Sequence, residues 1–591
     1  MALPELPEGY YLDNFIRVLD AAGTLYADLL APEERAFAED FRRFSLDARR
    51  LYVRLMTRKG PLFRSDKLAY AEIQNISEAA RELEKASFLG IDLDWEIPEC
   101  LALVTRTEMI RLFGDGKCDL WPMKKDGMIV AVAESFPEAA IRARIRSSFS
   151  LYAPLKIREV ELYRLLFFGN LDQDLTAFVL EDLGLTKYEP YPVSKEARLF
   201  QSRAILEAAY RLEKIRQRMH EAAESRDRGR VIALAQEVPP TCGEPYLERR
   251  RGRILNTAAR ELERDGEWRQ ALGHYEAADL PPARERQARI LDRLGRAAES
   301  RALCSRIIAE PFDEAELEFA EKFLPRLEKK LGGNVSRSRA APVPAMSLML
   351  PPPGGLGVEE AVLARLVQGG FQGYFVENLM WTGLFGLAFW DIIFMPVKGA
   401  FFNRYQGGPR DLLTPDFRRM REAAIMSRLE RVRTADEWPD EMRSVYADKK
   451  GTANHLVHWE RLSPEMLEMA LERIPRSHMA DIFDRLSRDI KGNKTGFPDL
   501  IVFAPGPNGA GARGRAEWDS IPGTDIGLDG REPYVLLEVK SPGDQIQNNQ
   551  RRWMRYFDKF SVPYRVVNVM WETKPEETRH TPVCPVQEAD R

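Results

Sequence analysis

The last third of the chain carries an order of segments that few architectures accommodate. DLIVF (499–503) and YVLLEVK (534–540) are apolar, β-rich runs. QIQNNQRRWMRYF follows at helical spacing over 545–558, and YRVVNVMW (564–571) is again β-rich. Strand, loop, strand, helix, strand is the order of an α/β core. Helical patterns lead into it at 358–368, 377–395, 415–432, 464–474 and 477–490. Two carboxylates and a lysine sit at the ends of the strands. Asp499 opens the first run; Glu538 and Lys540 close the second. Side chains alternate along a strand, so Glu538 and Lys540 share a face that Val539 does not. If the two strands pair, Asp499, Glu538 and Lys540 converge.

Carboxylates at such range repel each other unless a cation lies between them. Magnesium suits the site: a hard ion that takes oxygen ligands and keeps several waters. Mg²⁺ or Mn²⁺ is therefore the expected cofactor, with the Val539 carbonyl available as an added ligand. Lys540 would position or help deprotonate an attacking water, or stabilise charge building on a phosphate. The plain alternative is a solvated strand end where Lys540 only pairs with Glu538. The SPGD turn after Lys540 and the proline before Asp499 favour an exposed active edge. So does the following helix, which turns Ile546, Trp553 and Phe557 inward and Arg551, Arg552 and Arg555 outward.

At 591 residues the chain needs several domains of about 100–200 residues each. Its composition, 44% hydrophobic and 30% charged, supplies sizeable cores, and a net charge of −4 excludes a uniformly basic nucleic-acid coat. The five cysteines fall at 100, 118, 242, 304 and 584, without metal-ligand or CxxC spacing. The odd, scattered set fits a reducing compartment, and localisation is expected to be cytoplasmic. The N-terminus lacks an apolar signal core, and no apolar run is long enough to span a membrane. We expect helices over 1–97, with Gly90 as a C-cap, and a short compact unit at 98–136. Helices at repeat-like spacing follow over 137–331. A Gly/Pro/Ser-rich linker or crossing at 332–357 precedes the final domain, 358–591. His455 and His458 have no third ligand nearby in sequence, and no P-loop, GxSxG or GxGxxG site is convincing.

Basic clusters are the remaining signal. Lys124 and Lys125 lie in a polar turn of the 98–136 unit. Arg142, Arg144 and Arg146 alternate as an extended face would. Lys187 and Arg198 lie in KYEPYPVSKEARLF, and Arg249, Arg250 and Arg251 form a run in LERRRGR. Charge runs are commonly solvated faces; in a nucleic-acid-binding protein they hold phosphates.

The PD…EVK pattern resembles the PD-(D/E)XK nucleases, and in particular the VRR-NUC domain. The wider chain resembles a bacterial member of the Fanconi-anaemia-associated nuclease family. LYVRLMTRKGPLF with KLAY is similar to that family's N-terminal helical segment, and residues 98–136 sit where its SAP unit lies. The middle is similar to its tetratricopeptide-like repeats, GLFGLAFWDIIFM resembles its signature helix, and PDL…LLEVKSPGD…NNQ its nuclease core. The resemblance implies that Asp499, Glu538 and Lys540 handle metal and water, and that Glu377 is a further ligand. Glu377 is odd on its own terms, because it precedes a nearly all-apolar helix where an unpaired carboxylate is costly; its alternative role is capping. Gln550 matches a family glutamine that would orient Lys540 or a phosphate. Lys187, Arg198, Lys491 and Lys494 are candidates for the family's 5′-phosphate pocket. The chain departs from the family in a long insertion between Asp499 and Glu538, in a SAP-like unit with poor helix-turn spacing, and in lacking the animal members' ubiquitin-binding finger.

The expected fold is a mostly α-helical N-terminal two-thirds with a C-terminal α/β nuclease domain. The expected function is a divalent-metal-dependent, structure-specific DNA nuclease. As the resemblance implies, it would cut 5′ flaps and branched DNA, with some 5′-to-3′ exonuclease action, in interstrand-crosslink repair. The alternatives are a junction resolvase with the same core and a non-catalytic DNA-binding scaffold.

Overall fold

The computed structural model describes residues 8–58, 60–114, 120–173, 186–333, 342–352, 354–503 and 532–572. The long insertion between Asp499 and Glu538 falls almost wholly outside them. Contacts divide the chain into two compact units. One comprises Met1–Phe312, Glu316–Leu331 and Pro396–Arg410; the other comprises Asp313–Ala315, Gly332–Met395 and Asp411–Arg591.

In the first unit, helices Tyr10–Leu25, Pro32–Arg43, Leu46–Met56 and Ile157–Phe168 bury Phe15, Phe37, Phe41, Tyr52 and Tyr163 in one aromatic core. A small antiparallel sheet joins β1 (Phe63–Arg64), β2 (Leu89–Ile91) and β3 (Leu151–Pro154) in the order β1-β3-β2. Gly90 lies within β2, and the helix it was expected to cap ends at Lys85. The unit expected at 98–136 reaches further. Helices Ile97–Ala102, Arg106–Phe113 and Lys125–Ser135 share a core with Ile141, Ile145, Phe149, Leu151 and Ala153. Arg142, Arg144 and Arg146 therefore lie on a helix, Glu138–Arg146, and not on an extended face. Alternation in the sequence misled because the apolar Ile141 and Ile145, four apart, set the helical phase. Helices Arg203–Glu224 through Glu314–Lys330 then follow one another with short turns.

The second unit is built on a five-stranded sheet, ordered β4-β8-β7-β6-β5. Its strands are β4 (Ala345–Leu350), β5 (Gln372–Phe375), β6 (Leu500–Phe503), β7 (Tyr534–Lys540) and β8 (Tyr564–Trp571). The pairs β5–β6 and β6–β7 are antiparallel, whereas β7–β8 and β8–β4 are parallel. Strand β4 lies inside the stretch read as a linker; the prolines around it masked six pairable residues, Ala345–Leu350. Strand β5 and the helix Trp438–Lys449 were likewise not foreseen. Leu500, Val502, Val535, Leu537 and Val539 pack with Val362 and Leu366 of the helix Val358–Gln368. Helix Asn548–Phe560 buries Trp553, Met554 and Phe557 and leaves Arg551 and Arg555 exposed. Helix Leu379–Ala388 is buried from Met380 to Ala388, as an apolar helix must be. Among the described residues, no helix is long and apolar enough to cross a membrane.

A buried ion pair holds this unit's helical half. Arg421, 2% exposed, donates to Asp411 at 2.7 Å and to the Ile392 carbonyl at 3.0 Å, at a kink in helix Asp416–Thr434. Removing one partner strands the other charge in a dry interior. Arg421→Met is expected to cost about 3–5 kcal/mol in urea unfolding. The double variant Arg421→Met with Asp411→Asn is expected to recover part of that loss.

Candidate active site

The antiparallel pairing of β6 and β7, Leu500 opposite Leu537, brings the head of one strand beside the tail of the other. Asp499 accepts the Val539 N–H on Oδ2 at 2.8 Å. Next to it, Glu538 is 1% exposed. Its Oε1 is held by Lys540 Nζ at 2.7 Å and by Gln550 Nε2 at 2.6 Å. The Gln550 Oε1 accepts the Gln547 N–H at 2.8 Å, so the glutamine is aimed by the start of its own helix. Glu377 arrives from β5. Phe375 pairs with Leu500, and the N–H groups of Val376 and Glu377 then both donate to the Asp499 carbonyl, at 2.9 and 3.0 Å. Glu377 has φ +39°, a left-handed conformation rare outside glycine and typical of functional sites.

The segment just before Asp499 ties these elements together. The Phe497 N–H donates to Asn378 Oδ1 at 3.2 Å, which pins the residue after Glu377. Its ring lies against Trp553 at 4.0 Å. Trp553 Nε1 donates to the Asn493 carbonyl at 3.1 Å, and Asn493 Nδ2 donates to the Arg485 carbonyl at 3.0 Å. Gly496 has φ +94°, and a Cβ there would meet the Asn549 backbone at 2.8 Å. Only glycine allows that approach. Asn378, Asn493, Arg485 and Gly496 were not picked out from the sequence. The GFPD spacing carried a signal for Gly496; the buried asparagines and Arg485 carried none, because polar residues in loops read as solvated.

The electrostatics fit a cation. Burial is the main force raising the Asp499 carboxyl to about 6; the Val539 N–H and Lys540 oppose it, while Glu359 and Glu377 add to it. Burial, and then Asp499, push the Glu538 carboxyl up to about 7 against the pull of Lys540, with Glu359 adding. Glu538 Oε2 is buried and has no hydrogen-bond partner. A buried, partnerless carboxylate oxygen is costly, and a divalent ion would satisfy it. Among the described residues, no three His, Cys, Asp or Glu side chains close around a point tightly enough to hold an ion alone. The donor set is thus an open one, completed by water and substrate oxygens, as magnesium prefers.

The basic residues divide sharply. Lys491 is exposed and Lys494 half-buried on the short helix and turn before Asp499, in the same unit as Arg551, Arg552 and Arg555. The Arg552 carbonyl accepts from Arg485 at 3.1 Å, so its backbone is part of the framework. The others belong to the first unit, and most are tied internally. Arg198 is 3% exposed and forks onto the Asp28 carboxylate at 2.7 Å through both terminal nitrogens. That removes it as a phosphate-pocket candidate. Arg250 pairs with buried Glu213 at 2.8 Å, and Arg251 donates to the carbonyls of Pro239 and Ala277. Arg144 donates to the Leu112 carbonyl at 2.7 Å; Arg142 and Arg146 pair with Asp94 at 3.7 and 3.2 Å. Lys125 donates to the Ala102 carbonyl at 2.6 Å. Lys124 and Lys187 are exposed, and Arg249 is half-buried.

Raised carboxyl pKa values make the ionised, metal-free site unfavourable to folding. For such groups the stabilising contribution is complete below the unfolded values of about 4 and is lost as pH rises through 6 and 7. In EDTA, Asp499→Asn is therefore expected to melt above wild type at pH 8, and the gap should close toward pH 4. Differential scanning calorimetry across that range checks it; a gap independent of pH would refute the charge-burial account.

Comparison with known proteins agrees with this geometry. Residues 9–90 match the family model described as FAN1, HTH domain, and residues 435–571 match the VRR-NUC domain. The chain is 35% identical over 580 residues to the Fanconi-associated nuclease 1 homolog of Pseudomonas aeruginosa, across 96% of this chain and 97% of that one. It is 27% identical to the homolog of Arabidopsis thaliana, across 94% of this chain and 66% of that one. Its fold matches the crystal structure of paFAN1 bound to 2-nt 5′-flap DNA with a gap, at a TM-score of 0.81 and 34% identity, covering 97% of this chain and 100% of that chain. A VRR-NUC domain implies dependence on a divalent metal. The chain thus belongs to the Fanconi-associated nuclease 1 family and is a nuclease, a hydrolase of phosphodiester bonds.

Proposed function

We propose that this protein is a structure-specific nuclease that cuts 5′ flaps and related branched DNA, with 5′-to-3′ exonuclease action, in the repair of interstrand crosslinks. The observation that carries the reading is the buried, partnerless Glu538 Oε2 beside Asp499 at one sheet end. The relative paFAN1, bound to 5′-flap DNA, supports the substrate class. Mg²⁺ or Mn²⁺ is the proposed ion, held by Glu377, Asp499, Glu538 and the Val539 carbonyl. When bound, it would supply Lewis acidity to a phosphate oxygen and a lowered pKa for water. Lys540, beside Glu538, stabilises charge developing on the phosphate or orients the attacking water. Gln550 holds Glu538 in the orientation that leaves Oε2 directed at the site.

Recognition rests on backbone and shape, with little base reading. Lys491, Lys494, Arg551 and Arg555 are the proposed phosphate contacts of the nuclease unit. Lys124, Lys187 and Arg249 are the proposed phosphate contacts of the helical unit.

The test is a 5′-flap duplex labelled at the 3′ end of the flapped strand, incubated with Mg²⁺, Mn²⁺ or EDTA. Metal-dependent cutting near the junction, abolished by Asp499→Ala, is expected. Binding without cutting under any metal would instead support a scaffold, and paired cuts on a four-way junction a resolvase. In the same assay Gln550→Ala should lower kcat/KM by about 10–100-fold, the usual cost of losing a residue that orients a metal ligand. Arg551→Ala and Arg555→Ala should each weaken binding on any sequence and reduce the slope of log K against log salt by about 1.

A further inference from the structure

Far from the carboxylates, in the first unit, helix Trp268–Ala278 turns one face toward an open cavity. Arg269, Leu272, Gly273 and Glu276 fall at helical spacing and share that face. Leu294 and Arg296, at the turn between helices Ala283–Arg293 and Ala297–Ala309, complete the lining. The cavity holds about 520 Å³, within the range of about 300–1,000 Å³ usual for ligand pockets.

Nothing inside the protein requires glycine at 273. The residue sits within the helix, without the positive φ that calls for glycine, and a Cβ on it would meet no atom within 4 Å. Neither backbone strain nor close packing accounts for it, and glycine weakens a helix relative to alanine. Its effect is to leave room for a group that arrives from outside.

The charges say what kind of group. Arg269 and Glu276 are exposed, and among the described residues neither has an ion-pair or hydrogen-bond partner. Arg296 is already committed, holding Glu299 in a fork at 2.7 and 2.6 Å. Two cations and two carboxylates therefore cancel at this site, and a polyanion such as DNA gains little there. A chain carrying both signs complements it better. Seven residues of helix between Arg269 and Glu276 rise about 10 Å, which about three extended residues span.

We propose that this cavity binds an extended peptide segment of a partner protein. The segment places an acidic side chain on Arg269, an apolar one over Gly273 against Leu272 and Leu294, and a basic one on Glu276. The probe is an array of fluorescein-labelled, terminally blocked hexapeptides. Each carries one acidic and one basic residue three positions apart, in either order, with an aliphatic or aromatic residue between them. Binding to the full-length protein is read by fluorescence polarisation. At least one peptide is expected to bind wild type, and to bind Arg269→Glu and Gly273→Leu about tenfold more weakly. The same peptide with its acid replaced by lysine should bind Arg269→Glu better than it binds wild type. Gly273→Leu is expected to melt at or above the wild-type temperature, because the leucine favours the helix and meets no neighbour, so its loss of binding is not misfolding. The proposal is overturned if no peptide binds, or if binding survives both substitutions. It is overturned equally if 5′-flap DNA displaces the peptide and itself loses affinity for Arg269→Glu, which would make this face part of the DNA surface.

Discussion

The hydrogen bond from the Val539 amide to the Asp499 carboxylate is the point on which the nuclease unit turns. It fixes the head of β6 against the tail of β7 and leaves Glu538 on the adjoining position, facing the opposite way from Val539. The Asp499 carbonyl simultaneously receives the two N–H groups that turn β5 into Glu377. One residue therefore sets the register of three strands through its side chain and its backbone. Burying carboxylates there is expensive, and the surrounding framework is what prevents relaxation: Phe497 on Trp553, Asn493 between Arg485 and Trp553, and Gly496 against Asn549.

Much of this was legible in sequence, for a physical reason. The strands β6 and β7 are continuous apolar runs because they are buried on both faces, so Asp499, Glu538 and Lys540 stood out against them. Gln550 and the arginines of its helix followed from helical phase. What stayed hidden depends on partners distant in sequence. Strand β4 is short and flanked by prolines, and only its pairing with β8 makes it a strand. Asn378 and Asn493 are ordinary loop residues until the fold buries Phe497 and Trp553 beside them.

The basic residues teach the converse. Sequence runs such as LERRRGR suggested a phosphate surface, yet Arg198, Arg250 and Arg251 are directed at carboxylates and carbonyls of their own unit. Guanidinium forks are well suited to such internal bracing, because one side chain can satisfy a carboxylate and a carbonyl together. In an arginine-rich helical protein of net negative charge, clustering in sequence is weak guidance to what DNA touches; exposure in the fold is better guidance.

The division of the chain has an evolutionary corollary. Pro396–Arg410 leaves the nuclease sequence to lodge in the helical unit, where Tyr191 stacks on Phe401 at 3.8 Å and Asn403 bonds the Phe167 carbonyl at 2.8 Å. Asp313–Ala315 makes the reverse excursion. Such interleaving means that no single crossover in the gene could transfer the catalytic core to another host protein intact. A lineage carrying this arrangement must inherit both halves together.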